Sequence, residues 1–329
     1  MIGRREFITL LGGVAASWPV AARAQQQQAL PVIGFISSEA PDSPTRPGAA
    51  FRQGLNETGY IEGHDVVVDY HWLDGAYDRL PSLMADLVRS RVAVIAAAMT
   101  AAAPAAKAAT TTIPIVFGVA DDPVKLGLVA SLARPGGNAT GVNFFVQEIS
   151  AKRMGLLHEL VPKAARVGVL INPGNVPSSE STLRDVAGAA RVLGVQIQVL
   201  KASTSREIEA AFATLRQEHV EALFIAPDGF FNSRHVQFAT LAAAHAIPVA
   251  YDNRTYVEAG GLMSYGPDIA GMYRQVGDYT GRILKGAKPS DLPVIQSTKL
   301  DFAINLQTAR ALGLTVPADV LSIADQVIE

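Results

Sequence analysis

The sequence predicts an α/β protein of two Rossmann-like lobes, each built on a parallel sheet, joined by a hinge of several chain crossings. Three observations predict this fold. Apolar, β-branched runs alternate with segments of helical periodicity along most of the chain, which is typical of β-α-β units. The 329 residues exceed what one ordinary core holds. The order of elements in the first half returns in the second half, which indicates a repeat.

The first half contains seven alternating elements and begins with a buried strand. Its apolar runs are short, rich in β-branched residues and closed by small or polar residues. Its helical segments carry apolar residues at helical spacing, as Phe51 and Leu55 do before the stop at Gly59. The order is strand 31–38, helix 48–60, strand 64–72, helix 77–90, strand 92–100, helix 101–110 and strand 113–119.

The second half repeats this order, with a Ser205 cap expected at its second helix. Gly34 and Gly168 are separated by 134 residues, and Pro114 and Pro248 are separated by the same number. Two similar lobes explain this constant separation. The alternative is a chance agreement of the glycine and proline positions that are common in α/β proteins. The order is strand 165–174, helix 181–194, strand 195–202, helix 205–218, strand 220–229, helix 234–246 and strand 247–253.

Three segments are predicted to carry the chain between the lobes. The first is a turn at 135–137 followed by a strand over 140–146, the second is 259–268 and the third is 291–305. Several crossings side by side form a hinge that bends without unfolding either lobe. The resulting division is a first lobe of 30–142 with 262–293 and a second lobe of 143–261 with 294–329.

Residues 1–24 have the features of an export signal. An arginine pair at 4–5 precedes an apolar run over 7–22, and Ala-Arg-Ala at 22–24 matches the small-residue pattern of a cleavage site. The arginine pair is typical of twin-arginine export, and the general secretory route is the alternative. The sequence therefore predicts cleavage after Ala24 and a location in the periplasm.

Composition and motifs exclude several classes of function. A net charge of −2 gives no reason to expect nucleic acid as a partner. The absence of cysteine removes thiolate catalysis, cysteine-based metal sites and a cysteine-pair racemase. H-E-x-x-H, G-x-S-x-G and phosphate-binding glycine motifs are also absent, so a nucleotide-sugar enzyme is not indicated. We therefore predict a protein that is not an enzyme and uses neither metal nor cofactor.

Polar side chains follow most of the predicted strands, where an open parallel sheet binds its ligands. Asp121 and Asp122 share one strand end: one is expected to cap a helix beginning at Pro123 and the other to face the cleft, which we assign to Asp122. The predicted ligand-binding positions are Ser37, Ser38, Thr100 and Asp122 in the first lobe, and Asn172, Asp228, Tyr251 and Asp252 in the second.

The chemistry of these positions favours a zwitterion. Hydroxyl groups at helix N-termini, together with free N–H groups there, favour an anion. Aspartate side chains favour a cation, and charge-assisted hydrogen bonds contribute about 1.5–3 kcal/mol each. A small molecule with a carboxylate and an ammonium group satisfies both requirements.

Four long blocks of the sequence carry a family resemblance: GLVASLARPGGNATGV, VEAGGLMSYGPD, RILKGAKPSDLPV and INLQTARALGLTVPADVLSIADQVIE. They resemble the ABC-transporter substrate-binding protein family that includes tryptophan- and tyrosine-binding members. The resemblance runs from about Leu30 to Glu329.

The resemblance implies a type I periplasmic binding protein whose lobes close over a ligand. It implies a monomer that delivers an amino acid, preferably an aromatic one, to an ABC permease in the inner membrane. A sensor that hands its ligand to a signalling receptor is the alternative. Carried onto this chain, the ligand cleft would use Ser37 or Ser38, Thr100, Asp122, Asn143, Asn172, Asp228 and Asp252.

Overall fold

The computed structural model describes residues 29–144, 147–297 and 299–329. The predicted export signal and its cleavage site lie outside the described residues. Pro31–Glu329 forms one compact unit. None of the helices in the described ranges combines the length and the apolar character that a membrane crossing requires.

The described residues form thirteen strands and twelve helices, together with two short 3₁₀ turns. The strands are β1 Val32–Ser37, β2 Val67–Trp72, β3 Val94–Ala97, β4 Ile115–Val119, β5 Ala139–Asn143, β6 Arg166–Ile171, β7 Gln196–Lys201, β8 Ala222–Ile225, β9 Val249–Tyr251, β10 Met263–Pro267, β11 Ile295–Gln296, β12 Leu300–Asn305 and β13 Gln326–Ile328. The helices are α1 Pro47–Glu57, α2 Leu80–Arg89, α3 Ala102–Ala109, α4 Gln147–Leu160, α5 Val176–Leu193, α6 Ser205–Gln217, α7 Gly229–Asn232, α8 His235–His245, α9 Thr255–Glu258, α10 Ile269–Leu284, α11 Leu306–Ala311 and α12 Ala318–Ser322.

The strands form two sheets with the same internal order. The first sheet is β11-β5-β4-β3-β1-β2 and the second is β13-β12-β10-β9-β8-β6-β7. Starting from the edge strand β2, the first sheet runs β2-β1-β3-β4-β5, and starting from β7, the second runs β7-β6-β8-β9-β10. These five strands have the same relative order in both sheets. All pairs in the first sheet are parallel, and in the second only β10 and β12 run antiparallel. The prediction of two Rossmann-like lobes with mostly parallel sheets is confirmed.

The repeat seen in the sequence corresponds to equivalent positions in the two sheets. Gly34 lies in β1 and Gly168 in the matching strand β6, and each faces leucine side chains that leave no room for a further carbon. Gly59 and Gly194 lie just after the helices that follow these strands, α1 and α5, and both have positive φ (85° and 72°). The predicted Ser205 cap is displaced by one residue, because Thr204 accepts the Glu207 N–H at 3.2 Å and caps α6.

Both faces of each sheet are covered by apolar side chains, as expected for parallel sheets. In the first lobe, Phe35 and Phe117 lie in separate clusters on opposite faces of the sheet. In the second lobe, Phe224 and Phe231 do the same. All four rings are fully buried. The cores therefore fix the sheets and leave their carboxyl ends free for polar residues.

The chain passes between the sheets three times: after Asn143, after Pro267 and after Gln296. These crossings are neighbours in space. The Ser297 N–H donates to the Asn143 carbonyl at 2.9 Å, and the Asp268 N–H donates to the Lys299 carbonyl at 3.3 Å.

The strand pairing moves three pieces across the predicted lobe boundaries. The strand expected over 140–146 ends at Asn143 and belongs to the first sheet. Strand β10 joins the second sheet through β9 and β12, although it was predicted in the first lobe. Strand β11 joins the first sheet through β5, although it was predicted in the second. The exact residue bounds of the two lobes stay a prediction.

Helices α1 and α10 approach each other closely enough to require glycine. A Cβ at Gly54 would overlap the Arg274 carbonyl oxygen, and a Cβ at Gly277 would overlap that of Phe51. Since α10 directly follows the second crossing, this contact fastens the returning chain to the first lobe.

We expect Gly54→Ala to lower the free energy of unfolding by about 1–3 kcal/mol, the usual range for overpacking. Gly188→Ala is the matched control, because Gly188 lies within α5 with open space around it. The control should be unchanged or up to about 1 kcal/mol more stable. Urea denaturation of both variants measures the difference, and equal stabilities would contradict the close contact.

Candidate ligand-binding site

A cavity lies between the two lobes, at the carboxyl ends of both sheets. Its first-lobe wall comes from segments after β1, β3, β4 and β5 and from α10, and its second-lobe wall comes from segments after β6, β8 and β9. This is where open parallel sheets bind ligands. The lining residues are Ser38, Glu39, Ala98, Met99, Thr100, Ala120, Phe144, Ile269, Met272 and Tyr273, and, opposite, Asn175, Ser178, Pro227, Asp228, Gly229, Asn232 and Asp252.

Asp228 is a buried carboxylate whose oxygens are already filled. Its side chain accepts hydrogen bonds from the Tyr77 hydroxyl at 2.6 Å, from Asn172 and Asn175 at 3.0 Å each, and from the Phe231 N–H at 3.2 Å. Burial raises the pKa of Asp228, and these four donors oppose the rise. Asp228 therefore orders the residues around it and has little acceptor capacity left for a ligand.

Asp252 is as buried as Asp228 but has far fewer partners. Its carboxylate accepts a side-chain hydrogen bond from Asn253 at 3.3 Å, and no other described side chain donates to it. Burial raises the pKa of Asp252 to about 7, Arg153 lowers it, and the negative charges of Glu39 and Asp228 raise it. Asp252 therefore has acceptor capacity for a group that enters the cavity.

Asn175 adds a second free acceptor. Its amide nitrogen is used by Asp228, and its buried Oδ1 has no hydrogen-bond partner among the described residues. An acceptor deprived of water and left unpaired costs about 1–3 kcal/mol. A donor group on a ligand would remove that cost.

Glu39 is the third buried carboxyl group of the cavity and the one that the first lobe contributes. It accepts hydrogen bonds from the hydroxyls of Ser43 and Thr45, and from the Asn232 amide of the second lobe at 3.4 Å. Burial raises its pKa, and the negative charge of Asp228 acts in the same direction. The cavity thus concentrates acidic groups from both lobes.

The lobes touch each other directly around the cavity. Besides the Tyr77–Asp228 bond, Arg234 forms a two-pronged ion pair with Asp74 at 2.7 and 2.9 Å, and the Ala40 N–H donates to Ser233 Oγ at 2.9 Å. Ser38 approaches so near to the second lobe that a Cβ at position 229 would overlap it. Glycine at position 229 therefore permits this contact between the lobes.

Four of the nine predicted positions line the cavity: Ser38, Thr100, Asp228 and Asp252. Each follows a strand directly or within a few residues, which is the signal that selected it. Thr100 also accepts the Ala120 N–H at 3.0 Å and so fixes the neighbouring strand end.

Four further predicted positions lie behind the cavity wall, away from the lining. Ser37 bonds the Tyr273 hydroxyl at 3.0 Å, and Asn172 bonds Asp228. Asn143 donates to the carbonyls of Val119 and Asp121 at 3.1 and 2.8 Å. Tyr251 is fully buried and stacks on Tyr256, with ring centroids 4.4 Å apart. Ser37, Asn143 and Asn172 therefore shape the site from behind.

Asp122 lies away from the cavity, contrary to its predicted position. The helix expected at Pro123 is absent, because residues 123–127 form turns. Asp122 Oδ1 accepts the N–H groups of Val124 and Lys125 at 2.9 and 3.4 Å and caps that turn. Asp121 and Asp122 instead line a separate groove with Glu180 and Arg184.

Several lining residues were not predicted from the sequence. Glu39 lies one residue beyond the predicted Ser38, so a wider window after that strand would have included it. Met272 and Tyr273 lie on α10, which reaches the cavity only because the chain returns to the first lobe. No strand-end signal marks such residues.

The family model described as ABC transporter substrate binding protein matches residues 30–328. The chain belongs to this family. It is 27% identical to the tyrosine-binding protein of Clostridioides difficile (strain R20291) over 264 residues, which cover 80% of this chain and 75% of that protein.

Two solved structures are similar to this substrate-binding protein over 91% of its length. The ABC domain in complex with L-Trp from Streptococcus pneumonia is 26% identical, with a TM-score of 0.79 and all of that chain covered. The ligand-free, open structure of a substrate binding protein with adhesive properties from Clostridium difficile is 27% identical, with a TM-score of 0.60 and 99% covered. Both support the type I periplasmic binding protein fold.

We expect Asp252→Asn to stabilise the ligand-free protein at pH 8. The folded-state pKa of about 7 lies above the ordinary value of 3.8, so the folded state binds more protons than the unfolded state between these limits. The contribution of Asp252 to stability therefore falls as pH rises from about 4 to 7 and stays low above 7. Asparagine stays neutral and avoids this loss.

Melting temperatures of the wild type and the variant at pH 5 and pH 8 measure the effect. The gain should be larger at pH 8 than at pH 5. Asp122→Asn is the matched control, since Asp122 lies outside the cavity and an asparagine oxygen still caps the turn. A gain that is the same at both pH values would contradict the assignment to Asp252.

Proposed function

We propose that this protein is the periplasmic solute-binding component of an ABC importer, and that it captures a small amino acid by closure of its two lobes. The observation that carries the proposal is Asp252, a buried carboxylate with unfilled acceptor capacity that lines the cavity between the lobes. The family assignment supports a binding role without chemistry, and the N-terminal sequence supports export to the periplasm.

The ammonium group of the ligand binds Asp252 and the free Oδ1 of Asn175. None of the described residues that line the cavity is lysine, arginine or histidine. A carboxylate is therefore received by hydroxyl groups and backbone N–H groups, as at Thr100 near the N-terminus of α3. The arrangement favours a zwitterion over a dianion.

The apolar part of the wall favours an amino acid with an apolar or aromatic side chain. Phe144, Met272 and Tyr273 face the cavity, and methionine adapts to aromatic ligands of different shape. The L-Trp complex and the tyrosine-binding relative support an aromatic amino acid as the ligand class.

Closure of the lobes supplies the mechanism of capture. The ligand contacts both lobes only when they are together, and this differential contact shifts the population toward the closed form. Two observations support a closed state here: the direct bonds between lobes, such as Arg234–Asp74, and a higher TM-score to the L-Trp complex (0.79) than to the open, ligand-free structure (0.60) at similar identity. The closed form is then recognised by the permease.

We expect a free aromatic amino acid to bind and Asp252→Asn to weaken that binding about 10- to 100-fold, as the loss of one charge-assisted hydrogen bond implies. Thermal shift across the L-amino acids identifies the ligand, and calorimetry measures its affinity. An N-acetylated ligand, which lacks the ammonium group, should not bind. Asp122→Asn should keep wild-type affinity, and equal losses in both variants would contradict the proposed site.

We also expect the ligand to reduce the radius of gyration of purified protein from which the ligand has been removed. The open form separates the lobes, and the ligand gathers them around the cavity. Small-angle scattering with and without ligand measures the change. A bound ligand with unchanged scattering would contradict the closure mechanism.

A further inference from the structure

Arg153 is an unusual residue of the second lobe. It lies on α4, is fully buried, and has no carboxylate within 4.0 Å among the residues that the structure describes. Its Nε atom is buried without a hydrogen-bond partner. A buried charge is normally paired, because removal from water costs several kcal/mol per ion. A function other than a salt bridge is therefore needed to explain it.

The guanidinium of Arg153 spans the end of strand β9. Its Nη1 donates to the Tyr265 carbonyl in β10 at 3.5 Å, and its Nη2 donates to the Ile225 carbonyl at the end of β8 at 3.3 Å. Strand β9 lies between β8 and β10, and Asp252 is the first residue after β9. The guanidinium carbon also lies over the Phe224 ring, 4.2 Å from the ring centroid.

We propose that Arg153 is a positioning residue for ligand capture, whose buried charge beside the end of β9 favours the anionic form of the Asp252 carboxylate, which receives the ammonium group of the ligand. This inference rests on the proposed function of the cavity. Arg153 itself does not line the cavity and acts through Asp252.

The charges around Asp252 show why a cation is needed there. Glu39, after β1, and Asp228, after β8, both act against its ionisation, and so does its burial. Tyr256, on α9, is also buried beside it, and its own pKa is well above the ordinary value. Arg153 is the cation that opposes these effects, and burial lowers its own pKa to about 10, so it stays charged at neutral pH.

The test measures affinity for the amino acid found in the screen as a function of pH. With a pKa of about 7, Asp252 is about half ionised at pH 7 in the ligand-free wild type. Affinity should rise about 30-fold from pH 5.5 to its plateau near pH 8, since only the anionic form binds. Binding at pH 7 should release about half a proton, measured by calorimetry in buffers of different ionisation enthalpy.

Arg153→Met removes the charge and keeps an apolar stem. The midpoint of the pH profile should move upward, and a midpoint one pH unit higher lowers affinity at pH 7 about fivefold. Proton release at pH 7 should rise toward one, and affinity should recover at higher pH. A purely structural role would lower affinity equally at every pH.

Three further variants make the test specific. Ser150→Ala is the neutral control, because Ser150 is buried on the same helix one turn before Arg153. Its midpoint should stay at the wild-type pH. Arg153→Lys keeps the charge and should keep the midpoint. If Arg153→Met does not fold, Arg153→Gln, which is also uncharged, replaces it. Asp252→Asn should remove the pH dependence between pH 5.5 and 8.

The outcomes separate this inference from the proposed function. If no amino acid binds the wild type, the proposed function fails, and this inference fails with it. If the wild type binds but Arg153→Met keeps the wild-type midpoint, the role of Arg153 is refuted and the proposed function stands. An upward move of the midpoint in Arg153→Lys as large as that in Arg153→Met would also refute it.

Discussion

The hydrogen bond from the Tyr77 hydroxyl to Asp228 joins the two lobes at the centre of the molecule. A carboxylate removed from water is stable only when its oxygens are filled by donors. Asn172, Asn175 and the Phe231 N–H supply three donors from the second lobe, and Tyr77 supplies the fourth from the first. The four donors therefore reach Asp228 together only while the lobes are in contact. The hydrogen bonding of this one carboxylate thus depends on how the two lobes are placed.

The two buried aspartates of the second lobe, Asp228 and Asp252, have different roles because their surroundings differ. Asp228 caps α7 and is saturated, so it contributes order. Asp252 keeps unfilled acceptor capacity and a pKa near neutrality, which makes it costly in the ligand-free protein and useful in the complex. Such a cost is typical of binding sites, where local stability is given up for function. The positive charge of Arg153 reduces the free-energy cost of ionising Asp252, and Arg153 does not occupy the carboxylate oxygens that the ligand would use.

Sequence reasoning predicted the fold better than the site, for physical reasons. Periodicity is local, so the strands and the repeat marked by Gly34 and Gly168 were visible. Sheet membership of β10 and β11 depends on pairing with distant strands, which no local pattern contains. Asp122 was misplaced because it caps the turn after Pro123, the role expected of one of the two neighbouring acids, and its side chain is therefore held away from the cavity. Arg153 was missed because a charged residue in the middle of a helix is normally solvated, and only the fold buries it.

Helix α10 connects the crossings to the cavity. It begins one residue after β10, its cap Asp268 accepts the Gly271 N–H at 2.9 Å, and its first turns carry Met272 and Tyr273 to the cavity wall. Further along, Gly277 presses against α1. The same helix therefore contacts a crossing, the ligand space and the first-lobe core. Close-packed helices move as rigid units. A ligand group that packs against Met272 and Tyr273 therefore contacts the same helix that follows the second crossing, and its binding is coupled to the position of that crossing.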